Sequence, residues 1–282
     1  MSKSETADLP ERYIRLAHRQ HEQDQERNAF FDGIYRELFS KAVLQERNFI
    51  NFGPGSFWHK FWRTADRLYE GKTWSEQRNR GYEMRIDLAW NLIENTRVDV
   101  PDASVEVCYC SHLVEHGWND NVLFFFEEVH RILKPGGVFR ITCPDSALGV
   151  RALRRGDRFY YPKQGNRPTS FMLLQDTSLV THPENKFSLL PDAADAFLAG
   201  FDDVYKALDE ASRLSDRELQ NQIGAHVNWF SVPKITKFLK QVGFERIYQN
   251  GYAQSIMPIL RDVRYFDKTD PHMSCYLDVV KT

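Results

Sequence analysis

The stretch Val105–Asp145, VEVCYCSHLVEHGWNDNVLFFFEEVHRILKPGGVFRITCPD, decides the fold. It opens with a short apolar segment rich in strand-forming residues, Val105–Cys110, and closes with a second one, Val138–Cys143. Between them, residues 121–133 place apolar side chains at intervals of three and four, the period of an amphipathic helix. The letters KPGG that follow end this helix. A strand, a crossover helix and a second strand form a βαβ unit, and such units build parallel sheets.

Three short motifs accompany this unit. Asp102–Val107 (DASVEV) leads into the first strand, Ser111–His116 (SHLVEH) leaves it, and Arg131–Gly137 (RILKPGG) forms the turn before the second strand. In this order and spacing they resemble the second half of a class I S-adenosylmethionine-dependent methyltransferase of the methyltransferase type 11 group. The resemblance covers about residues 48–145 and 226–282. The alternative is an ordinary α/β crossover with a chance Pro-Gly-Gly turn.

The composition is that of a globular protein. The chain has 282 residues, 42% of them hydrophobic, which suits one large domain or one domain with an insertion. Its net charge of -2 gives no electrostatic reason to bind nucleic acid or an acidic membrane. We see no signal peptide and no apolar run of about 18 residues, and therefore expect a cytoplasmic protein. The four cysteines are expected as buried thiols, since no pattern with zinc-ligand spacing accompanies them.

The resemblance implies an α/β fold. We expect a Rossmann-like, seven-stranded and mostly parallel sheet with helices on both faces, closed by an antiparallel hairpin. The expected parts are an N-terminal helical segment (1–47), a cofactor-binding core (48–146), a lid or substrate insertion (147–228) and the C-terminal part of the core sheet (229–282). The N-terminal helices either pack on the core or help to close the active site.

The cofactor site is expected at the carboxyl ends of the strands, where ligands of parallel sheets bind. A predicted first strand near residues 47–52 runs into the turn Gly53–Gly55, where the family has a G-x-G loop. Glycines suit this loop because a Cβ atom would block the approach of the backbone to the amino-acid end of S-adenosylmethionine. The chain departs from the family in having Pro54 between the glycines and no acidic residue before them. The cofactor-binding residues implied here are Phe52, Gly53, Pro54 and Gly55.

Three further positions complete the implied cofactor site. Asp66 is expected to accept hydrogen bonds from both ribose hydroxyls, as a carboxylate at the end of the second strand can do. It lies 13 residues after Gly53, fewer than the roughly 20 of a dinucleotide-binding unit, which leaves little room for a first helix. Resemblance assigns the adenine edge to Asp87 and the amide of Leu88. Ser111 and His112 follow the fourth strand and are expected beside the transferring methyl group.

Methyl transfer to oxygen or nitrogen is an in-line displacement, in which the protein supplies positioning and a base for the acceptor's proton. His112 is the first candidate for this base, because an imidazole has an ordinary pKa near 6.5. His116 and Asp145 are further catalytic candidates, although each of them can instead cap a helix or bond to the backbone. His130 and His226 are expected to be structural.

The expected activity is methyl transfer from S-adenosylmethionine, with S-adenosylhomocysteine as the product, to a small-molecule acceptor. Family habit and the cleft residues favour O-methylation of a sugar or a natural-product intermediate. N-methylation of a small amine and a non-catalytic, cofactor-binding partner subunit stay open as alternatives. We expect no resident metal, no nucleic-acid partner and no membrane partner, and a homodimer is left open.

Overall fold

The computed structural model describes residues 26–77, 79–81, 83–161 and 164–282, in two compact units, Met1–Glu46 and Arg47–Thr282. In the first unit, residues 26–38 form helix α1 and Lys41–Glu46 form helix α2. A part for this unit in closing the active site stays a prediction.

The second unit is built around a seven-stranded sheet. Its strands are β1 (Phe49–Phe52), β2 (Arg63–Asp66), β3 (Leu88–Ala89), β4 (Val105–Ser111), β5 (Leu133–Pro144), β6 (Arg246–Asn250) and β7 (Ser274–Val280). The spatial order is β3-β2-β1-β4-β5-β7-β6; the first five strands pair in parallel, and β7 is antiparallel to both β5 and β6. The predicted Rossmann-like α/β fold and its closing hairpin are confirmed. The strand order reverses between β1 and β4, and that switch point is where such sheets bind ligands.

Helices connect these strands. They are α3 (Trp74–Gln77), α4 (Asn119–Ile132), α5 (Ser146–Arg155), α6 (Thr169–Thr177), α7 (Ala194–Ala199), α8 (Val204–Arg213), α9 (Arg217–Ile223) and α10 (Val232–Gln241), with 3₁₀ turns at Val114–His116, Pro191–Ala193 and Pro258–Arg261. The crossover helix α4 stops one residue before its predicted end, because Leu133 already pairs with Val105 in the sheet. Among the described helices, none combines the length and the apolar character that a membrane span requires.

One face of the sheet carries the main apolar core. Side chains alternate along a strand, so Ile50 and Phe52 of β1 point to the same face and are fully buried there. Phe125 of α4 packs edge-on against Phe52 at 5.0 Å and against Phe139 of β5 at 5.8 Å between ring centroids. Each such buried ring contributes about 1.5–3 kcal/mol. The four cysteines are free and buried, as predicted.

No helix lies between β1 and β2, as the short spacing to Asp66 predicts, since residues 53–62 form only turns and extended chain. The connection from β6 to β7 covers the sheet there instead. Its Phe266 contacts Trp62 and Tyr109, with ring centroids 5.1 and 5.0 Å apart, and also Phe57 at 5.6 Å. An aromatic cluster therefore stands where a first helix would otherwise pack.

A buried ion-pair network anchors this connection. Arg140 of β5 is fully buried, and it donates to Asp267 of the connection at 2.9 Å and to Asp278 of β7 at 3.0 Å. It also donates to the carbonyl of Gly251 at 3.1 Å. Burial alone would lower the pKa of Arg140, but its hydrogen bonds and ion pairs with the two carboxylates raise it above the ordinary value. Removing the guanidinium would leave two buried carboxylates without a counter-charge.

Two residues of the quoted motifs prove to be structural partners. Arg131, near the end of α4, pairs with Asp102 at 2.6 Å and with Glu128 at 2.8 Å. It also donates to the carbonyls of Val98 and Val100, at 2.9 and 3.0 Å. The motif residues thus fix the end of the crossover helix to the segment that enters β4, and they set the start of that strand.

The insertion after β5 folds as helices α5 to α9 around a second apolar cluster, which includes Leu173 and Leu208. Its last turn is bonded to the segment that leaves β4, which we call the β4 exit (residues 111–116). Gln220 of α9 donates to the carbonyl of His116 at 2.9 Å, and the amide of Val227 donates to the carbonyl of Glu115 at 2.8 Å. These bonds hold the insertion beside the carboxyl ends of the strands.

Candidate cofactor site and active site

Two adjoining cavities lie at the carboxyl ends of β1, β2 and β4. The first has a volume of about 230 Å³ and the second of about 350 Å³. Both are lined by Gly53, Gly55, Trp74 and His112. Small-molecule sites usually measure about 300–1,000 Å³, and the two cavities together fall within that range.

The turn after β1 has the backbone that its glycines predict. Gly53 and Gly55 both adopt left-handed conformations, with φ of +63° and +54°. A Cβ atom on Gly53 would lie 2.9 Å from Cδ1 of Leu113, so that a larger residue would have to displace this leucine side chain as well as adopt the left-handed conformation. Pro54 lines the second cavity, so the unusual residue between the glycines faces the site. The backbone is thus open to a ligand on both sides of the turn.

The side chain of Phe52 does not reach either cavity. It is fully buried and packs against Trp90 and Phe125, at 5.1 and 5.0 Å between ring centroids. The physical reason is the alternation of β1, which turns Phe52 into the core and Asn51 to the opposite face. The expected contact of Phe52 with the cofactor is therefore limited to its backbone.

Asp66 ends β2 and lines the first cavity. Its Oδ1 accepts the amide hydrogen of Arg67 at 2.7 Å, which leaves the other oxygen for a ligand. Burial raises the pKa of Asp66 to about 6, although the Arg67 amide and guanidinium lower it in part. The position and chemistry suit the predicted contact with the ribose hydroxyls.

Asp87 and Leu88 do not line the cavities. The carboxylate of Asp87 instead accepts two hydrogen bonds from Arg47 at 2.9 Å and one from the amide of Thr64 at 3.0 Å. The Arg47 and Thr64 bonds outweigh the effect of burial and hold the pKa of Asp87 below its ordinary value. Asp87 therefore fixes the start of β3 against β2, and its predicted contact with the adenine is not supported by this position.

The segment after β3, and not Asp87, lines the first cavity. Trp90, Asn91, Leu92 and Ile93 all line the first cavity. Asn91 is buried, and its Oδ1 accepts the amide hydrogen of Ile93 at 3.0 Å, which shapes the turn. The short β3 ends at Ala89, so the residues at its carboxyl end come later than the motif comparison suggested. The feature of the sequence that could have indicated this was Asn91, a polar residue directly after the apolar pair Ala89-Trp90.

Asn51 supplies an unmatched acceptor to the second cavity. Its side chain is buried, and its Oδ1 has no hydrogen-bond partner among the residues that the structure describes. Ser111 lines the same cavity, as the sequence predicts. An orphaned, buried oxygen is costly unless a ligand donor meets it.

His112 stands where the two cavities meet, in a left-handed conformation with φ of +51°. Its Nε2 lies 2.8 Å from Oγ of Ser274, and that hydroxyl lies 2.9 Å from the carbonyl of Asp270. Because the carbonyl can only accept, Ser274 donates to it and accepts from Nε2–H of His112. Nδ1 is then without a proton and faces Oε1 of Glu115 at 3.5 Å. Burial lowers the pKa of His112 to about 4, so the imidazole is neutral.

The other two catalytic candidates, His116 and Asp145, lie in different places. His116 lines the first cavity, and its Nδ1 lies 3.0 Å from the carbonyl of Ala225. Asp145 lines neither cavity; it is the N-cap of α5 and accepts the amide hydrogen of Ala147 at 3.1 Å. A direct part for Asp145 in the reaction is thus not supported by its position. His130 packs on Phe244, as a structural histidine should.

The order of the strands in the sheet is that of the Rossmann-like, methyltransferase-like α/β fold. Residues 54–141 match the family model described as a methyltransferase domain, of the methyltransferase type 11 group. These residues therefore carry a methyltransferase domain of the kind that the sequence predicts, for which S-adenosylmethionine is the cofactor. A comparison with curated protein sequences gives no match.

Solved structures resemble the chain only distantly. The citrinin polyketide synthase CMeT domain aligns with 83% of the chain at 11% identity and a TM-score of 0.38, and the alignment spans 46% of that protein. A methyltransferase from Mesorhizobium loti aligns at 13% identity and a TM-score of 0.39, over 82% of the chain and 89% of its own. A chain of the Haloferax volcanii complex between the Trm112 methyltransferase activator and a methyltransferase aligns at 12% identity and a TM-score of 0.40. The alignment covers 90% of the present chain and 94% of that chain. Likenesses this distant leave the acceptor open.

The cofactor is S-adenosylmethionine, and the site fits it. When bound, this cofactor supplies a methyl group that is activated by a sulfonium. Asp66 would offer a carboxylate oxygen to the ribose, and the turn Gly53–Gly55 would lie against the amino-acid end. The unmatched Oδ1 of Asn51 would accept a hydrogen bond from the ammonium group. Trp90 and Leu92 give the first cavity an apolar wall for the adenine.

Proposed function

We propose that the chain methylates a hydroxyl group of a small, uncharged acceptor, such as a sugar or a natural-product intermediate. The adenosine end of the cofactor is assigned to the first cavity and the acceptor to the second. The observation that carries the proposal is His112, whose neutral imidazole lines both cavities at their junction. A base at that point is within reach of an acceptor hydroxyl that approaches the transferring methyl group.

The charge of the second cavity favours a hydroxyl over an amine. None of the described residues that line it carries a carboxylate, and Lys268 lies in its wall. A small amine is cationic near neutral pH and would meet the Lys268 ammonium without an anionic partner. An uncharged sugar or phenol meets no such penalty.

The remaining wall suits a flat or ring-shaped acceptor. Phe57, Trp74 and Tyr265 give it aromatic surfaces, and Ser111 and Thr269 add hydroxyl groups. Apolar walls with a few polar groups are the usual make-up of a site that orients a small molecule. In this arrangement the wall residues would position the acceptor, and the imidazole of His112 would accept its hydroxyl proton while the oxygen–methyl bond formed and the methyl–sulfonium bond broke, which releases S-adenosylhomocysteine.

The test measures S-adenosylhomocysteine release from the purified chain with S-adenosylmethionine and a panel of sugars, polyols, phenols and small amines. The proposal expects turnover with one or more hydroxyl compounds and a loss of that turnover in His112→Gln. Turnover confined to amines would contradict the hydroxyl assignment. Tight S-adenosylmethionine binding without turnover on any member of the panel would favour a non-catalytic partner subunit.

A further inference from the structure

Three side chains that can bind a proton or a metal ion lie close to one another and next to His112. Glu115 and His116 belong to the β4 exit, and His226 lies between α9 and α10. One ligand atom from each of the three lies within 4.8 Å of those of the other two. Glu115 is only 1% exposed, so its carboxyl group sits in the protein interior.

Backbone carbonyls fix the tautomers of both histidines. Nδ1 of His116 lies 3.0 Å from the carbonyl of Ala225, and Nδ1 of His226 lies 2.8 Å from the carbonyl of Asp176. A carbonyl can only accept, so each Nδ1 carries its hydrogen, and in the neutral imidazole each Nε2 presents a lone pair. The two rings stand 4.9 Å apart and nearly perpendicular, at 81°. Nε2 of His226 lies 3.7 Å from Oε1 of Glu115.

The carboxylate has no donor to match it. Neither oxygen of Glu115 has a hydrogen-bond partner on another residue within the described part of the chain. Nδ1 of His112, which the Ser274 bond leaves without a proton, lies 3.5 Å from Oε1 of Glu115. A buried carboxylate that faces nitrogen lone pairs is unfavourable unless a proton or a metal ion lies between them.

We propose that Glu115, His116 and His226 bind one divalent first-row transition-metal ion. Two imidazoles and a carboxylate suit zinc, and also cobalt, manganese or iron. Histidines that ligate a metal usually donate the other ring N–H to a carbonyl or a carboxylate, and both histidines here do so. Small side-chain rotations would bring the donor atoms to the roughly 2.0–2.2 Å that zinc requires.

The ion would cross-link two parts of the fold. Glu115 and His116 follow β4, whereas His226 closes the helical insertion, and His116 also lines the first cavity. A metal would therefore hold the end of the insertion at the wall of the cofactor site. This inference goes beyond the proposed function, because it depends on the ligand geometry alone and not on the acceptor.

The test titrates zinc into chelator-treated, full-length protein by calorimetry and follows cobalt binding by its visible absorption. We expect one ion per chain, with nitrogen and oxygen ligation in the cobalt spectrum. His226→Gln and Glu115→Gln should each weaken zinc binding at least about tenfold, since even changes outside a ligand set cost about 10–100-fold. His272→Gln is the matched control, because His272 is exposed and outside the cluster, and it should bind as the wild type does.

Two results would overturn the inference: no stoichiometric zinc binding, or binding that is unchanged in His226→Gln and so reflects an adventitious ion only. The side chain of His226 is 27% exposed, so we expect His226→Gln to fold. If Glu115→Gln does not fold, zinc binding by His226→Gln alone tests the proposed site. S-adenosylhomocysteine affinity, measured on the same samples, reports the cofactor site separately. Failure of the acceptor assignment would leave the zinc result untouched.

Discussion

Asp66→Asn tests the cofactor site most directly. The substitution keeps the size of the side chain, and its Oδ1 can still accept the Arg67 amide hydrogen that lies at 2.7 Å. What changes is the second atom, from a carboxylate oxygen that accepts ribose hydroxyls to an amide nitrogen that cannot. Hydrogen bonds to charged groups contribute about 1.5–3 kcal/mol. The dissociation constant for S-adenosylhomocysteine should therefore rise about 10- to 150-fold.

The pH dependence gives a second, independent readout. Burial raises the pKa of Asp66 to about 6, and the ligand's donors bind the ionised form. Ligand binding must then lower this pKa, so wild-type affinity is complete above pH 6 and falls below it. The fall should approach tenfold per pH unit, and Asp66→Asn should show no such step.

Isothermal titration with S-adenosylhomocysteine, repeated between pH 5 and 8, measures both effects. Asp145→Asn is the control, because it changes a carboxylate that caps α5 outside both cavities, and Asn caps a helix as well as Asp does. Its affinity should equal that of the wild type. Wild-type affinity in Asp66→Asn, or a wild-type curve that is flat through pH 6, would refute the ribose assignment.

Three further changes have defined outcomes. Gly53→Ala forces a side chain into a left-handed conformation against Leu113, and should cost about 1–3 kcal/mol in urea unfolding while also weakening S-adenosylhomocysteine binding. Arg140→Met leaves two buried carboxylates unpaired and should lower the free energy of unfolding by about 3–5 kcal/mol; a loss under 1 kcal/mol would contradict the network. His112→Gln should lower kcat by about 10²–10⁴-fold with far less effect on S-adenosylhomocysteine affinity, and an unchanged kcat would exclude His112 as the base.

Short sequence patterns were enough to predict the central strands of the sheet and the glycine turn. The β4–α4–β5 unit follows from the spacing of apolar residues, and the closing hairpin was expected from the family resemblance. The left-handed turn at Gly53 and the strand end at Asp66 were also accessible, because each depends on a few neighbouring residues. Even the missing first helix could be predicted, since the chain between those two residues is too short to hold one.

Other assignments failed because they depend on where a strand ends. The two-residue β3 stops at Ala89, so Asn91 reaches the cavity and Asp87 pairs with Arg47 instead. Asp145 follows β5 as predicted, yet the first turn of α5 takes its carboxylate as a cap. A shift of a few residues decides which side chain faces the site, and sequence spacing alone does not resolve such a shift.

The sequence by itself predicted the βαβ unit and, through the motifs that resemble a known family, the class of fold, because both depend on short-range periodicity and on runs of a few neighbouring residues. The roles of Gly53 and Asp66 in cofactor binding stay predictions. Only the tertiary structure decided which distant groups meet. Glu115 follows β4, whereas His226 lies at the end of the helical insertion, and Asp267 comes from a loop that covers the sheet where a helix is absent. Such meetings depend on how whole elements pack, and no local pattern records that packing.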